Sequence, residues 1–324
     1  MLIVMHDQPD PDSLASAWAL SHLAGKLHGI RCKIVYGGTL SRTENREMVR
    51  VLKIPIKVIE DGDFADFKAT ALVDTQPPFK NNSYPARKKP DIIIDHHKRD
   101  KRTQADFLII DKDFGATSTI LTEALIASGL AIPSGLATAL AYGISSETLN
   151  LAREARRRDI EAYLMMHSIC QVKLLAHIEN PPRPMAFFWV LHEALSKTFV
   201  CKRVIGVHLR KIPSPEFVAQ IADLLLTYEH ASWSIVTGRF EDKLFVSLRS
   251  KNPRAEAGRL LQRILGGKNR AGGHGMSAGG SIETGPQADE SQWSTLEKKV
   301  RNAFLKAAGV KSSGTLIYPF VTLA

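Results

Sequence analysis

The chain has 324 residues, 44% hydrophobic and 23% charged, a globular composition that excludes general disorder and is long enough for two domains of ordinary size. Its 43 Lys and Arg against 33 Asp and Glu leave a net charge of +10, which favours a polyanionic partner such as nucleotide or nucleic acid. Three scattered cysteines, Cys32, Cys170 and Cys201, argue against a disulfide framework or a thiolate-held zinc; no apolar run reaches the roughly 18 residues of a membrane span, and the opening MLIVMHDQPD lacks a basic signal-peptide start, so a cytoplasmic protein is expected.

Five short β-branched runs in the first half, Leu2–Met5, Cys32–Tyr36, Lys57–Ile59, Ala71–Val73 and Asp91–Ile94, read as buried parallel strands. Between the first two, Leu20, Leu23, Ala24 and Leu27 recur at helical spacing and Gly29 supplies a stop. Thr117–Ser128 and Ser134–Ile144 read as helices separated by Gly129 and Pro133, and a helical run from about Arg156 to His177 closes the half. Such alternation predicts an α/β domain with a doubly wound, mainly parallel sheet over residues 1–178. Residues 179–186, with Glu179-Asn-Pro-Pro-Arg-Pro184, read as a proline-stiffened linker.

Residues 187–324 then predict a smaller α/β domain. Its strand-like runs are Ala186–Leu191, Val204–Leu209, Trp233–Thr237 and Leu244–Ser247, with one helix at Pro215–Tyr228. Within the first of these, Phe187-Phe188-Trp189 has strand character and is expected in the core. Gly266–Gly280 holds seven glycines and reads as a loop whose bare backbone can approach a phosphate closely. Around it lie Arg249, Lys251, Arg254, Arg259, Arg263, Lys268 and Arg270, with Glu256 the only acid from 249 to 275. Arg249 is the leading phosphate clamp and His274 the nucleotide contact; a flexible loop with a solvated basic face is the plainer alternative. A second cluster, Arg153 with Arg156-Arg-Arg158, reads as solvated.

Acids and histidines gather at the ends of the predicted strands. His6 follows the first, with Asp10 and Asp12 close behind; Asp74 follows Ala71–Val73; Asp95-His96-His97 follows the last, and Glu147 ends a helix. Ligands of open parallel sheets bind at the carboxyl ends of strands, so these segments converge on one crevice. Several carboxylates crowded there repel one another unless cations intervene. An oxygen-rich set with imidazole and no thiolate suits Mn²⁺ or Mg²⁺ more than Zn²⁺. Two such ions about 3.5–4 Å apart would hold a hydroxide and clamp an in-line phosphoryl displacement, with Asp74 as the bridging carboxylate. Each residue also has a plainer role: Asp10 or Asp12 as a helix cap, Asp74 in a turn, His96 and His97 as a buried and a solvated pair. Their shared placement at strand ends favours the site.

The segments resemble the DHH phosphoesterases. His6-Asp-Gln-Pro-Asp-Pro-Asp12 resembles that family's first motif, Val73-Asp74-Thr75 its second and Asp95-His96-His97 its third. Gly115-Ala-Thr-Ser-Thr119 and Gly143-Ile-Ser-Ser-Glu-Thr148 resemble the segments that follow. Val246-Ser-Leu-Arg-Ser250 and Gly272-Gly-His-Gly-Met-Ser-Ala-Gly-Gly280 resemble the DHH-associated C-terminal domain. The resemblance implies two metals, one held by His6, Asp10 and Asp74, the other by Asp12, Asp74, His96 and the residue at 147. There the family usually carries Asp and this chain carries Glu147, which puts the metal preference of that site in question. It further implies that His97 faces the substrate phosphate. In the second domain, Arg249, Ser250, Gly272, Gly273, His274, Gly279 and Gly280 would then hold the nucleotide end of the substrate.

The expected activity is hydrolysis of short RNA or DNA oligonucleotides, with removal of the 3′-phosphate of adenosine 3′,5′-bisphosphate as a companion. Cyclic- or linear-dinucleotide phosphodiesterases and RecJ-like single-strand exonucleases are family alternatives, although the latter usually add domains for which these residues leave no room. Inorganic pyrophosphatases share the first domain, but the Gly272–Gly280 segment argues against them. A different class is a nucleotide- or RNA-binding module whose site has lapsed at Glu147. The proline linker predicts a cleft that opens and closes on substrate, and a homodimer is compatible with the sequence.

Overall fold

The computed structural model describes residues 1–324 except Ser41, Lys80, Pro253, Lys268, 286–287, 311–314 and 321–324, and except the side chain of His274. The chain forms two units, Met1–Pro181 and Pro182–Ala324. Strands β1 (Leu2–Val4), β2 (Lys33–Tyr36), β3 (Ile56–Val58), β4 (Thr70–Val73), β5 (Ile92–Asp95) and β6 (Phe107–Ile110) build the first sheet. They lie in the order β3-β2-β1-β4-β5-β6, every pair parallel. Helices α1 (Pro11–His28), α2 (Thr43–Leu52), α3 (Asp63–Asp66), α4 (Thr117–Ala127), α5 (Ser134–Glu147), α6 (Arg157–Ile169) and α7 (Val172–Glu179) complete the unit. The chain moves outward from β1 to β3 and then returns to place β4 on the other side of β1. That reversal opens a crevice beyond the carboxyl ends of β1 and β4.

Local chemistry sets these elements. The central strands are short and apolar because both sheet faces are covered there: Leu2, Ile3 and Val4 are fully buried. Helix α1 begins with Asp10 accepting from the Ser13 N–H and Pro11 in the first turn, and it ends at Gly29 with φ 64°. Gly143 lies where α5 meets α1 and α4; a Cβ there would come within 2.5 Å of Ser118 Oγ and 3.2 Å of Ala15 Cβ. The expected helix from Arg156 to His177 is two helices, because Cys170 turns extended (ψ 162°) between α6 and α7.

The second unit has strands β7 (Phe199–Cys201), β8 (Val204–Lys211), β9 (Trp233–Phe240), β10 (Lys243–Ser250), β11 (Ala271–His274) and β12 (Ser277–Glu283), ordered β11-β12-β10-β9-β8-β7. Only β8 and β9 pair in parallel among them. Helices α8 (Met185–Lys197), α9 (Glu216–Leu226), α10 (Ala257–Leu265) and α11 (Glu290–Ala307) pack on it. Two expectations need correction. Ala186–Leu191 is helix, not strand: Val190 and Ala194 are buried four residues apart, while Phe188 and Trp189 are 54% and 68% exposed, so the aromatic run is not core. A short continuous apolar run has no periodicity to separate the two states, and the thirteen-residue length of the element decides it. The glycine-rich segment is a hairpin in its second half, β11 paired with β12, where a loop was expected. Glycine weakens strands in isolation, but here β10 supplies a template for seven residue pairs with β12.

Alternation along that hairpin divides its glycines between two faces. A Cβ on Gly280 would meet Arg270 O at 2.4 Å and Leu265 Cδ1 at 2.7 Å, and one on Gly258 of α10 would meet Gly273 O at 2.3 Å. Helix α10 therefore lies directly on the backbone of β11. Gly258→Ala should lower the stability of the second unit by about 1–3 kcal/mol, read as a drop in its thermal unfolding midpoint.

Candidate metal centre

Three strand ends supply the centre. His6 follows β1, Asp74 follows β4, and His96 and His97 follow Asp95, the last residue of β5. Asp74 adopts φ 59°, a left-handed turn that Asp tolerates better than most residues, and its N–H donates to Ile94 O at 2.9 Å. This turn buries the side chain to 2% exposure and directs its two oxygens to different neighbours. Oδ2 lies 3.7 Å from His6 Nε2, which is also 3.7 Å from Asp10 Oδ2. Oδ1 lies 3.6 Å from His96 Nε2 and 3.7 Å from His97 Nδ1. Two groups of candidate ligands thus form, His6 with Asp10 and Asp74, and Asp74 with His96 and His97, and Asp74 belongs to both.

Asp10 is both a cap and a candidate ligand. Its Oδ1 accepts from the Ser13 N–H at 3.0 Å, while Oδ2 faces His6. Asp12 is fully buried and accepts at 2.8 and 2.7 Å from the N–H groups of Thr117 and Ser118 at the start of α4, with Oδ2 3.9 Å from His96 Nε2. Glu147 ends α5, and its Oε1 lies 3.4 Å from an Arg153 Nη atom that also donates to the Glu147 carbonyl at 2.7 Å. The structure therefore gathers His6, Asp10, Asp74, His96 and His97 tightly. Asp12 sits on their edge, and Glu147 is held by arginine, outside the two groups.

The electrostatics match crowding without a counter-charge. Burial, then Asp12, Asp10, Asp95 and Glu147, raise the Asp74 carboxyl well above the usual carboxylate range. Burial with Asp10 and Asp12 pushes Glu147 up to about 8 against the pull of Arg153. Burial opposes the charge on His6, yet its acidic neighbours, Asp10 first, push it up to about 9. Burial would raise Asp10, but His6 takes it well below the ordinary value. His96 Nε2 is buried with no hydrogen-bond partner among the described residues. A buried imidazole nitrogen without a partner is costly, and the 3.6–3.9 Å gaps to Asp74 and Asp12 are too long for hydrogen bonds. Nitrogen and oxygen donors arranged so fit a shared divalent cation.

Several supporting residues were not singled out in the sequence. Thr117 Oγ1 donates to Asp74 Oδ1 at 2.9 Å, so the start of α4 holds both Asp74 and Asp12. Asp159 on α6 accepts from the Gly115 N–H at 2.9 Å and from Thr119 Oγ1 at 2.6 Å, anchoring that same segment. Asp95 accepts from His97 Nδ1 at 2.8 Å and from Gln76 Nε2 at 2.7 Å. The resemblance of Gly115–Thr119 to a family segment was the only signal for the first set. A lone Asp on α6 and a Gln after Asp74 carried none.

In the second unit the expected substrate residues separate by strand face. Arg249 pairs with Ser277 and Ser247 with Gly279, which itself pairs with Gly272, so these residues share one face. A Cβ on Gly272 or Gly279 would meet nothing within 4 Å, leaving a bare stretch of backbone beside Arg249. Arg249 is 8% exposed; its Nε donates to Asp223 and its Nη1 to Ser247 Oγ at 2.7 Å, with Nη2 unpartnered among the described residues. Ser250 alternates to the opposite face and donates to Ser232 O, and Gly280 lies on that face against Leu265. The Gly273 carbonyl lies against α10, where it leaves no room for a Cβ on Gly258. His274 pairs with Ser277 through its backbone; its side chain, like Lys268, lies outside the described residues.

A parallel-sheet domain with carboxylates and imidazoles at its switch point, followed by a mixed-sheet domain with an open glycine patch, defines a two-domain α/β protein with a candidate metal centre. Residues 1–144 match the DHH family, N-terminal domain, and residues 197–304 match the DHHA1 domain, and the chain belongs to the DHH family. An uncharacterized protein of Methanocaldococcus jannaschii is 33% identical over an alignment of 320 residues that covers 96% of this chain and 64% of that protein. The chain thus spans under two thirds of that curated relative. The crystal structure of an exopolyphosphatase-related protein from Bacteroides fragilis superposes with a TM-score of 0.73 at 16% identity, covering 93% of this chain and 91% of that one. A putative family II inorganic pyrophosphatase from Methanococcus jannaschii gives a TM-score of 0.50 at 17% identity, over 93% of this chain and 100% of that one. These two likenesses show a shared fold.

Metal uptake must displace the protons that the crowded site holds. Because His6 is raised to about 9 and Glu147 to about 8, apparent Mn²⁺ affinity should climb as pH rises from about 6 toward 9. Calorimetry in buffers of different ionisation enthalpy should register proton release on binding, and Asp74→Asn should weaken binding.

Proposed function

We propose that the protein is a divalent-metal-dependent phosphoesterase acting on short oligonucleotides or nucleotides. The observation that carries this reading is the division of Asp74 between two donor groups. His6, Asp10 and Asp74 would hold one ion, and Asp74 and His96, with Asp12 and Glu147 beside them, a second; Mn²⁺ and Mg²⁺ both suit such donors. When bound, the ion pair supplies positive charge for a phosphoryl group and lowers the pKa of water.

The chain's own groups do the rest. His97 has 47% of its side chain exposed, while Nδ1 donates to Asp95 Oδ1, which fixes the tautomer and leaves Nε2 to meet a phosphate. Burial disfavours its charge, but Asp95 more than compensates, so its pKa is raised. A His97 protonated more fully at neutral pH suits donation to a leaving oxygen. Arg249 Nη2 and the open backbone of Gly272 and Gly279 offer a phosphate and a sugar close approach in the second unit. Ser250, Gly273 and Gly280, packed on the other face, support that surface from beneath.

Catalysis should require added Mn²⁺ or Mg²⁺. Asp74→Ala should reduce kcat/KM on a short RNA by more than about 100-fold, since outer-shell partners of metal ligands alone carry roughly 10–100-fold. Tight RNA binding with no turnover under either metal would instead make the protein a binding module. Arg249→Ala should raise KM for nucleotide substrates more than it lowers kcat, which steady-state kinetics on a dinucleotide will resolve. A panel of dinucleotide, pentanucleotide, adenosine bisphosphate, cyclic dinucleotide and pyrophosphate, read by product chromatography, identifies the substrate.

A further inference from the structure

Two basic runs in the first unit take no part in that chemistry. Ala86-Arg-Lys-Lys-Pro90 precedes β5, and Lys98-Arg-Asp-Lys-Arg102 follows His97 directly. They meet around a cavity of about 360 Å³ lined by Pro77, Pro78, Arg87, Lys88, Lys89 and Arg102, among others. Its size falls within the roughly 300–1,000 Å³ of small-ligand pockets.

The cavity is tied to the metal centre by one side chain. Gln76, two residues beyond Asp74, is fully buried. Its Nε2 donates to Asp95 Oδ2 at 2.7 Å and to Lys98 O at 3.3 Å, while its Oε1 accepts from Asp100 N at 2.9 Å and Thr103 Oγ1 at 2.8 Å. The second basic run is therefore pinned to the carboxylate that orients His97. On the other side Phe79 meets His97 edge-on, ring centroids 6.0 Å apart.

The surface stays positive after internal pairing. Arg102 is forked on Asp100, Lys89 pairs with Asp106, and Lys88 donates to Phe64 O at 2.9 Å. Among the lining cations Arg87 and Lys88 are exposed with no ion-pair partner among the described residues. Asp91 and Asp95, at the two ends of the β5 segment between the runs, turn inward to Thr70 and Gln76. The cavity thus joins an apolar surface, Pro77 and Pro78, to two cations that no described acid pairs, Arg87 and Lys88. A nucleotide has that dual character, with a flat base and an anionic phosphate; a bare phosphate chain offers nothing to the prolines.

We propose that this cavity binds the nucleotide next along a strand whose end lies at the metal centre, so that the enzyme favours substrates longer than a dinucleotide. This rests on the phosphoesterase reading above. The test is Arg87→Glu/Lys88→Glu in the full chain, with Lys26→Glu/Arg31→Glu, an equal charge change near the far end of α1, as control. Kinetics with Mn²⁺ compare a dinucleotide, a pentanucleotide and inorganic polyphosphate. The pentanucleotide-to-dinucleotide ratio of kcat/KM should fall about tenfold in the double variant and not in the control. The slope of log affinity against log salt should shrink by about 1.4, the value for two phosphate contacts on a single strand. An unchanged ratio with active enzyme overturns the cavity assignment and leaves the enzyme reading standing. An equal loss on polyphosphate overturns the nucleotide assignment. Anisotropy of a labelled pentanucleotide on metal-free protein separates the remaining case: no hydrolysis by the wild type, yet strand affinity lost in the double variant, removes the enzyme reading and keeps the cavity.

Discussion

The two oxygens of Asp74 face different imidazoles, His6 at 3.7 Å and His96 at 3.6 Å, from a carboxyl that is almost wholly buried. Neither gap is a hydrogen bond, and the surrounding acids work against its ionisation. A buried group under such repulsion is tolerable only if something positive enters or a proton stays. The rest of the first unit is arranged around that condition. The parallel sheet places β1 and β4 side by side at its reversal point, so that His6 and Asp74 emerge together. The start of α4 then fixes Asp74 through Thr117 and Asp12 through two N–H groups. Asp159 holds the same segment from α6.

This arrangement explains why small residues recur away from the chemistry. Gly143 lets α5 approach Ser118 and Ala15 closely, and a side chain there would push α4 away from the two carboxylates it holds. Gly115 has the same role against Asp159, where a Cβ would come within 2.9 Å of the carboxylate. In the second unit the glycines divide by face. Gly280 and Gly258 permit close packing between α10 and the β11–β12 hairpin, while Gly272 and Gly279 leave open backbone beside Arg249. One composition serves two purposes, and strand alternation decides which glycine serves which.

The legible parts were those where local chemistry and tertiary environment agree. All five strands expected in the first half are present; β1, β4 and β5 stand out because parallel strands covered on both faces are largely apolar, whereas edge strand β3 keeps Lys57 and Val58 exposed. Helix α1 announced itself through Leu20, Leu23, Ala24 and Leu27 at helical spacing and Gly29 at its end. Strand β6 escaped although Phe107-Leu-Ile-Ile110 is wholly apolar: the run is only four residues long, and at the sheet edge Phe107 is 54% exposed. The run Ala186–Leu191 was misread as strand because six consecutive apolar residues carry no period, and only its packing through Val190 and Ala194 reveals a helix.

For the site, the sequence by itself determined the donor chemistry: which acids and histidines exist, that they sit at strand ends, and that they are too many to coexist fully ionised without a cation. Residue type and position relative to a strand are local properties, so they survive in one dimension. That sequence reading extended to Asp74 as the shared carboxylate; the tertiary structure alone decided that Asp12 is committed to the start of α4 and Glu147 to Arg153, and that Gln76 and Asp159 hold the surroundings in place. Those are contacts between residues many positions apart, settled by strand order and helix packing, and no local pattern in the chain encodes them.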